Sequence, residues 1–514
     1  MTHEDASKTL GAKPLYAMVL ICAIATADES IAYGRKPASS PSPQAIPAPV
    51  LRVDKALTLR QTMHLAAKRN LGLLVDRLEQ RRVALGYAAA QAAFLPVLDL
   101  DTTYATRTPF DRRPPRNQRL QYGAAISWKS QVGTILSAGM NVDQNLTGQT
   151  QQSSSVNTAQ HSSSLTLAAT QPLLRNAWRA GAANTLAEAK IDIEVQRALF
   201  VDQLEKVLAD VETAYWQLAF NQSDVANRKR AQKRAQEQYD DTKENIRRGI
   251  LAEINIYVVE ENLVFFSQQL TRSQQNLTLA QRKLAQLLLL DATSKISVAI
   301  KLTAPKSSPT RQNAIRLGLL QSPRLRAEAL RLSKNRVELA FEKNQALPSL
   351  DLVASFSLNG LDARYGEHLA EIFTAKRPTA SLGLRFSIPL SYSANRAKIG
   401  RANLARQAQL VALKREETRV RYQIGDVVTQ MDYQRRLLHL AKRRLVLSKL
   451  KLSAEIQKYK NGISTLDSIV RFQRELDQAM IGVKKNLLAL RINQVRLNRL
   501  QGTLHQRFGV TIKG

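Results

Sequence analysis

A shift of 252 residues lays one half of the chain on the other without a gap. Thr58 falls on Thr310, Met63 on Ile315, Leu73 on Leu325, Ala88 on Ala340, Leu95 on Leu347, Pro96 on Pro348, Asp99 on Asp351 and Tyr104 on Phe356. Stacked small repeats have periods of roughly 20–50 residues, so this much longer period means that a whole half was duplicated. Whatever one half folds into, the other must repeat it.

Within each half the hydrophobic period changes. From Leu57 to Ala93 and from Pro309 to Leu347 apolar residues recur at three- and four-residue steps, which predicts an amphipathic helix. Pro96 and Pro348 end these helices, because proline lacks the N–H a helix needs and drives the residue before it toward extended geometry. After each proline the period is two. Leu98, Leu100, Thr102 and Tyr104 alternate with Asp99, Asp101, Thr103 and Ala105, while Leu350, Leu352, Ala354, Phe356 and Leu358 alternate with more polar neighbours. Such two-faced strands suit either a half-buried sheet or a lipid-embedded barrel.

A second strand in each half shows the same alternation. Leu165, Leu167 and Ala169 correspond to Leu382, Leu384 and Phe386, and the segments close at Pro172 and Pro389. The shift has dropped to 217 because the first half carries extra residues, roughly Leu120–Leu146, punctuated by Gly123, Gly133 and Gly139. They predict an additional hairpin, either outside the cell or in a barrel wall.

Beyond the second strands run the longest helical patterns, from about Leu173 to Arg248 and from about Ser391 to Asn461. At about 1.5 Å per residue each would exceed roughly 100 Å if continuous, a length a compact globule does not use. Each stops at a glycine, Gly249 or Gly462, where the chain can reverse. Return helices then run from about Leu251 to Leu290 and from about Ile463 to Leu504.

The chain has 514 residues, and Lys plus Arg exceed Asp plus Glu to give a formal net charge of +33. An excess of this kind attracts nucleic acid or an anionic surface, yet no zinc spacing or aromatic ribonucleoprotein signature accompanies it. Basic residues cluster ahead of the two reversals, as Arg228, Lys229, Arg230, Lys233 and Arg234 and as Lys442, Arg443 and Arg444. They either line a lumen or solubilise an outer face.

Near the start, Lys13 precedes an apolar run from Leu15 to Ala27 that ends in Ala25-Thr26-Ala27, the parts of a secretory signal. Its Cys22 is the sole cysteine, and the residues before it, Val19-Leu20-Ile21, lack the small side chains that lipid anchoring favours. Export of a thiol-free mature chain is therefore expected. Pro37, Pro41, Pro43, Pro47 and Pro49 make the following stretch a flexible leader. No later segment approaches the 18 or so apolar residues of a membrane helix, so a membrane-spanning form must use a closed barrel.

Catalytic chemistry has no residues to rest on. His3, His64, His161, His368, His439 and His505 are scattered without zinc-site spacing, and there is neither a phosphate-cradling loop nor a dinucleotide fingerprint. The expectation is a protein that is not an enzyme, with no cofactor and no metal.

Taken in order, the segments Phe94-Leu95-Pro96 and Ala346-Leu347-Pro348, Gln171-Pro172-Leu173-Leu174 and Ile388-Pro389-Leu390, and the tips Arg248-Gly249-Ile250 and Asn461-Gly462-Ile463-Ser464-Thr465-Leu466-Asp467 resemble the TolC-type outer-membrane efflux protein family. The resemblance covers about Leu57 to Leu504. It implies a mainly α protein with a small transmembrane β part: long antiparallel, coiled-coil-like hairpins forming a periplasmic tube, and four strands per protomer in a twelve-stranded barrel shared by a homotrimer. Four strands cannot close a barrel alone, so physics asks for oligomerisation too.

Domain boundaries follow: a signal peptide at 1–27, the Pro/Ser-rich leader at 28–56, a first repeat at 57–308, a second at 309–505 and a tail at 506–514. The family's arrangement further implies the cell outer membrane as location, contact with its lipid, and a periplasmic adaptor docked on the tips Arg248, Gly249, Ile250, Asn461, Gly462 and Ile463. An inner-membrane pump of RND or ABC type would feed the duct, in efflux or type I secretion. Some relatives place acidic residues just after the second tip to gate the mouth. Here Asp467 stands one position early, Ser468 occupies the first place and Arg471 the second. The rival reading is a basic coiled-coil scaffold binding nucleic acid or an anionic surface, which leaves the strands and their prolines unexplained.

Overall fold

The structure, a computed structural model, describes residues 56–107, 117–145, 161–291, 293–299, 302–305, 309–362 and 367–510. The expected signal peptide, all of the leader but Ala56, and the last four residues of the tail lie outside them.

The chain opens with a short strand β1 (Ala56–Leu57) that pairs in parallel with β6 (Ser297–Val298). Helices α1 (Leu59–Arg69) and α2 (Leu71–Ala92) follow. Thr58 starts α1 with a capping box: its hydroxyl accepts from Gln61 N at 3.4 Å, and the Gln61 side chain accepts from Thr58 N at 3.1 Å. The sequence predicts one helix here, but it breaks at Asn70, which turns extended (φ −62°, ψ 124°) and uses its side chain to accept from Leu73 N at 3.2 Å. In the second half α6 (Arg311–Gln321) and α7 (Pro323–Gln345) break at Ser322, the position the 252-residue shift assigns to Asn70. There Pro323 at the first helical turn forces the break, so the duplicated halves reach one kink by two chemistries.

Two helical hairpins dominate the molecule. Strand β5 (His161–Pro172) leads through α3 (Trp178–Ala182) into α4 (Asn184–Arg247), which α5 (Ile254–Leu288) accompanies back. In the second half α9 (Ser393–Lys460) and α10 (Leu466–Gln501) repeat the pair, and α11 (Leu504–Phe508) closes the chain. At 64 and 68 residues, α4 and α9 extend about 100 Å each. Helix α4 starts later than the pattern predicts because Asn176 and Trp178 take positive φ (64° and 60°), unwinding the chain after Pro172.

Packing concentrates where the short helices cross the long ones. Met63, Leu73, Leu208, Tyr215, Leu218, Leu284 and Leu288 form the larger core, and Phe508 of α11 joins it. Ala314, Val420, Ile424, Met431 and Leu497 form its counterpart in the second half. The carboxylate of Glu205 straps α11 down, accepting from Leu504 N at 3.0 Å and His505 N at 2.8 Å.

The remaining strands, β2 (Val97–Arg107), β3 (Asn117–Lys129), β4 (Ile135–Asn145), β5 (His161–Pro172), β7 (Ser349–Asp362) and β8 (Pro378–Ser387), form one antiparallel sheet in that order. Six strands stand where the family resemblance implies four. The surplus pair β3–β4 is the additional hairpin anticipated near 120–147; it lies in the sheet because pairing with β2 on one side and β5 on the other satisfies its backbone groups along nearly its whole length. A helix the sequence reading did not anticipate, α8 (Glu367–Thr374), packs at the end of β5 and β7, with Ser163 Oγ donating to His368 O at 2.7 Å.

Candidate functional site

Residues paired directly across antiparallel strands share a face. The register therefore gives each face of the sheet row by row. One row runs Leu98, Ile126, Ala138, Leu167, Phe356, Ala380; the next runs Leu100, Ala124, Met140, Leu165, Leu358, Pro378. Both cross all six strands without a polar side chain. A third row, Trp128, Leu136, Ala169, Ala354, Leu382, extends the band toward the helices. Much of it is open: Leu382 is 76% exposed and Leu384 68%.

The opposite face is polar. Its rows read Asp99, Ala125, Gly139, Thr166, Ser357, Thr379 and Asp101, Gly123, Asn141, Ser164, Asn359. Hydroxyls and charges bond across it: Thr166 Oγ1 meets Ser357 Oγ at 2.9 Å, Ser355 Oγ meets Ser381 Oγ at 2.7 Å, and Arg119 Nε donates to Asp143 Oδ1 at 2.7 Å. Strands β2 and β8 occupy the two sheet edges.

The four boundary prolines sit where helix and strand exchange. Pro96 and Pro348 immediately precede β2 and β7, Pro172 is the last residue of β5, and Pro389 lies two residues past β8. Each removes an N–H donor at a position that closes a helix or ends a ladder.

At the far ends of the helical hairpins the two tips share one geometry. Gly249 N donates to Ile246 O at 2.9 Å and Ile250 N to Asn245 O at 2.8 Å; Gly462 N donates to Tyr459 O at 3.0 Å and Ile463 N to Lys458 O at 2.9 Å. These are Schellman closures, and both glycines take φ +74°. A Cβ at either would meet no atom within 4 Å, so backbone conformation rather than crowding asks for glycine. Ile250 and Ile463 follow them as apolar residues 66% and 74% exposed. Arg248 and Asn461 are the cap residues just before the glycines, and Arg248 Nε pairs with Glu244 at 2.8 Å.

The trio Asp467, Ser468 and Arg471 forms no cluster. Asp467 is exposed in the first turn of α10, Ser468 N donates to the Thr465 cap at 3.4 Å, and Arg471 lies over the Phe472 ring at 5.1 Å. Some of the charged contacts join the two hairpins, and sequence spacing had not revealed them. Arg228 of α4 pairs with Asp477 of α10 in a largely buried setting. Lys484 Nζ donates to Ser223 O at 3.0 Å, while Arg474 pairs with Glu261 and stacks over Phe265 at 4.5 Å. Burial pushes the Asp477 carboxyl up from its ordinary value while Arg228 opposes it, and burial pushes the Lys484 amine down. Thus Arg228 of the first basic cluster is consumed internally, whereas Lys229, Arg230, Lys233, Arg234, Lys442, Arg443 and Arg444 remain exposed.

Among the described residues no group of three or more histidine, cysteine or acidic side chains could hold a metal ion, and no helix is long and apolar enough to cross a membrane.

Residues 314–503 match the family described as outer membrane efflux protein. No curated protein sequence matches the chain. Among solved structures, the chain is similar to CusC, a protein whose structures concern folding and transmembrane channel formation, at 12% identity over 88% of this chain and 93% of that one, with a TM-score of 0.65. It is also similar to the outer membrane protein VceC of Vibrio cholerae, at 14% identity over 86% and 96% of the two chains and a TM-score of 0.63. The open-state outer membrane channel MtrE of Neisseria gonorrhoeae gives 14% identity, 86% and 88% coverage, and a TM-score of 0.62. At such identities the likeness is one of fold, and it spans both helical hairpins and the sheet, while the family match rests on the second half. Residues 314–503 thus carry the pattern of the outer membrane efflux protein family, and the chain as a whole shares its fold with CusC, VceC and MtrE.

Proposed function

We propose that three copies of this chain close their sheets into a barrel in the outer membrane and their helical hairpins into a tube across the periplasm, forming a passive exit duct. The observation that carries this reading is the two-faced sheet: an apolar band without polar interruption backs a polar face, and the edges β2 and β8 are left unpaired. Unpaired backbone edges are not tolerated in hydrocarbon, so the sheet must close with copies of itself. Exposed apolar side chains along the helices support the same assembly. Val75, Leu78 and Leu85 of α2 and Tyr422, Tyr433, Leu437 and Leu440 of α9 project from a single chain and suit a neighbouring copy.

In this reading the tips Arg248, Gly249, Ile250, Asn461, Gly462 and Ile463 form the periplasmic mouth and receive an adaptor, with Ile250 and Ile463 as apolar contacts on rigid turns. An inner-membrane pump of RND or ABC type supplies cargo, and Asp467, Ser468 and Arg471 line the entry. No step calls for an enzyme, a cofactor or nucleic acid. The test is a membrane wash followed by an export assay. High salt should leave the protein in the membrane and detergent should release it as a trimer, and loss of the gene should sensitise cells to exported toxic compounds. Release by salt alone would return the basic scaffold to favour.

A further inference from the structure

We infer that the β3–β4 hairpin is part of the membrane wall, so that three chains close an eighteen-stranded barrel: six strands from each copy, and not four. The inference rests on the membrane reading above and deepens it.

Three observations carry it. First, the hairpin is laddered on both sides. Strand β3 pairs with β2 from Asn117↔Arg107 to Ser127↔Val97, and β4 pairs with β5 from Gln144↔His161 to Ile135↔Thr170. A hairpin folded above the membrane or into the lumen would leave β2 free to pair with β5 directly; here it cannot, because β3 and β4 lie between them.

Second, the hairpin carries the same two faces as its neighbours. Ile126, Ala124, Ala138, Met140 and Leu136 continue the apolar rows, while Gln121, Asn141 and the Arg119–Asp143 ion pair lie on the polar side. An ion pair belongs on a water-filled lumen and is costly toward lipid. Trp128 stands at the helical end of the apolar rows, its Nε1 donating to Phe94 O at 3.0 Å, and Tyr104 stands toward the opposite end. Aromatic residues at the two ends of an apolar band are how barrel walls meet their interfaces.

Third, the turn between β3 and β4 is docked into the junction where β5 gives way to α4. Trp178 N donates to Val132 O at 3.0 Å, and Thr134 Oγ1 meets Gln171 Oε1 at 2.5 Å. Gly133 takes φ +97°, and a Cβ there would meet Asn176 O at 2.5 Å and Pro172 Cγ at 2.8 Å. An insertion merely tolerated by the fold would not be fitted to that junction.

Barrel diameter grows roughly in proportion to strand number, so eighteen strands give a bore about half as wide again as twelve, within the range in which barrels hold an aqueous channel. The occupant of the outward face is lipid hydrocarbon, since the rows of the hairpin continue without polar interruption into those of β5, β7 and β8.

The experiment uses the exported trimer, whose mature chain is expected to carry no thiol of its own, with single cysteines labelled by an environment-sensitive fluorophore and reconstituted in vesicles containing a quencher attached to the lipid acyl chain. Labels at Ile126→Cys and Leu136→Cys should be quenched as strongly as labels at Leu382→Cys and Leu384→Cys, and labels at Ser127→Cys and Ser137→Cys should not be. Quenching at 382 and 384 without quenching at 126 and 136 would overturn the eighteen-stranded wall while leaving the membrane reading intact. Absence of quenching at all four positions would sink the membrane reading itself. Imaging of the unlabelled trimer provides a second measure that needs no variant: eighteen strands in cross-section support the inference, and twelve overturn it.

Discussion

Arg228 and Asp477, 249 positions apart in the chain, form an ion pair that joins the first helical hairpin to the second. Their side chains are only 13% and 3% exposed, so neither charge can fall back on water. Nearby Asp224 lies 3.8 Å from Arg228 Nε and makes the arginine the hub of the contact.

Removing one member of such a pair strands the other in a poorly hydrated site, at a cost of about 3 kcal/mol. Arg228→Ala should therefore lower the unfolding midpoint of the detergent-solubilised protein. Replacing both residues by apolar side chains of similar volume should cost much less. A loss in the double variant equal to the sum of the two single losses would show that the pair is not coupled.

Glu212 predicts a pH dependence. Burial raises its carboxyl from the ordinary value of 4.5, with Arg507 and the Trp216 N–H, at 3.2 Å, opposing the shift. A group raised in the folded state contributes stability that is fully present below its unfolded value and is lost as pH rises through the folded one. Acidification from neutral through the carboxylate range should thus relieve the strain at this site. Glu212→Gln should stabilise the protein at neutral pH and flatten that part of its stability profile, as read from thermal unfolding across a pH series. A variant with an unchanged profile would remove Glu212 from the account.

At the tips, Gly249→Ala and Gly462→Ala place a side chain in left-handed backbone with free space around it, a strain of about 1 kcal/mol each. Trimer yield should be unchanged. Bulky charged residues at both positions should abolish export at a normal level of membrane-bound trimer. Loss of the trimer instead would assign the glycines to folding alone.

Gly133 differs from the tip glycines in being both left-handed and crowded. Gly133→Val should cost about 2–3 kcal/mol, through backbone strain and displacement of the Asn176 carbonyl. Heating solubilised trimers before electrophoresis would reveal it as dissociation at a lower temperature than for the parent chain.

Much of the architecture was legible because its determinants are local. Pro96 and Pro348 exclude helix by their own ring geometry, and the alternation of Leu350, Leu352, Ala354 and Phe356 reports a strand whatever its partner. Gly249 and Gly462 mark reversals because left-handed backbone penalises a Cβ. The break in the second short helix was missed, although Pro323 carries its local signal, and its twin at Asn70 depends on a side-chain cap that many other asparagines do not form.

What the sequence by itself determined, then, is the duplicated plan of helix, strand and long hairpin, since steric limits on each residue act within a few positions along the chain. Tertiary structure alone decided that β3 and β4 enter the sheet between β2 and β5, that Glu205 holds down a segment 300 positions away, and that Arg228 meets Asp477. Ladder register and buried ion pairs are set by which surfaces must leave water together, and spacing along a single chain carries no record of that.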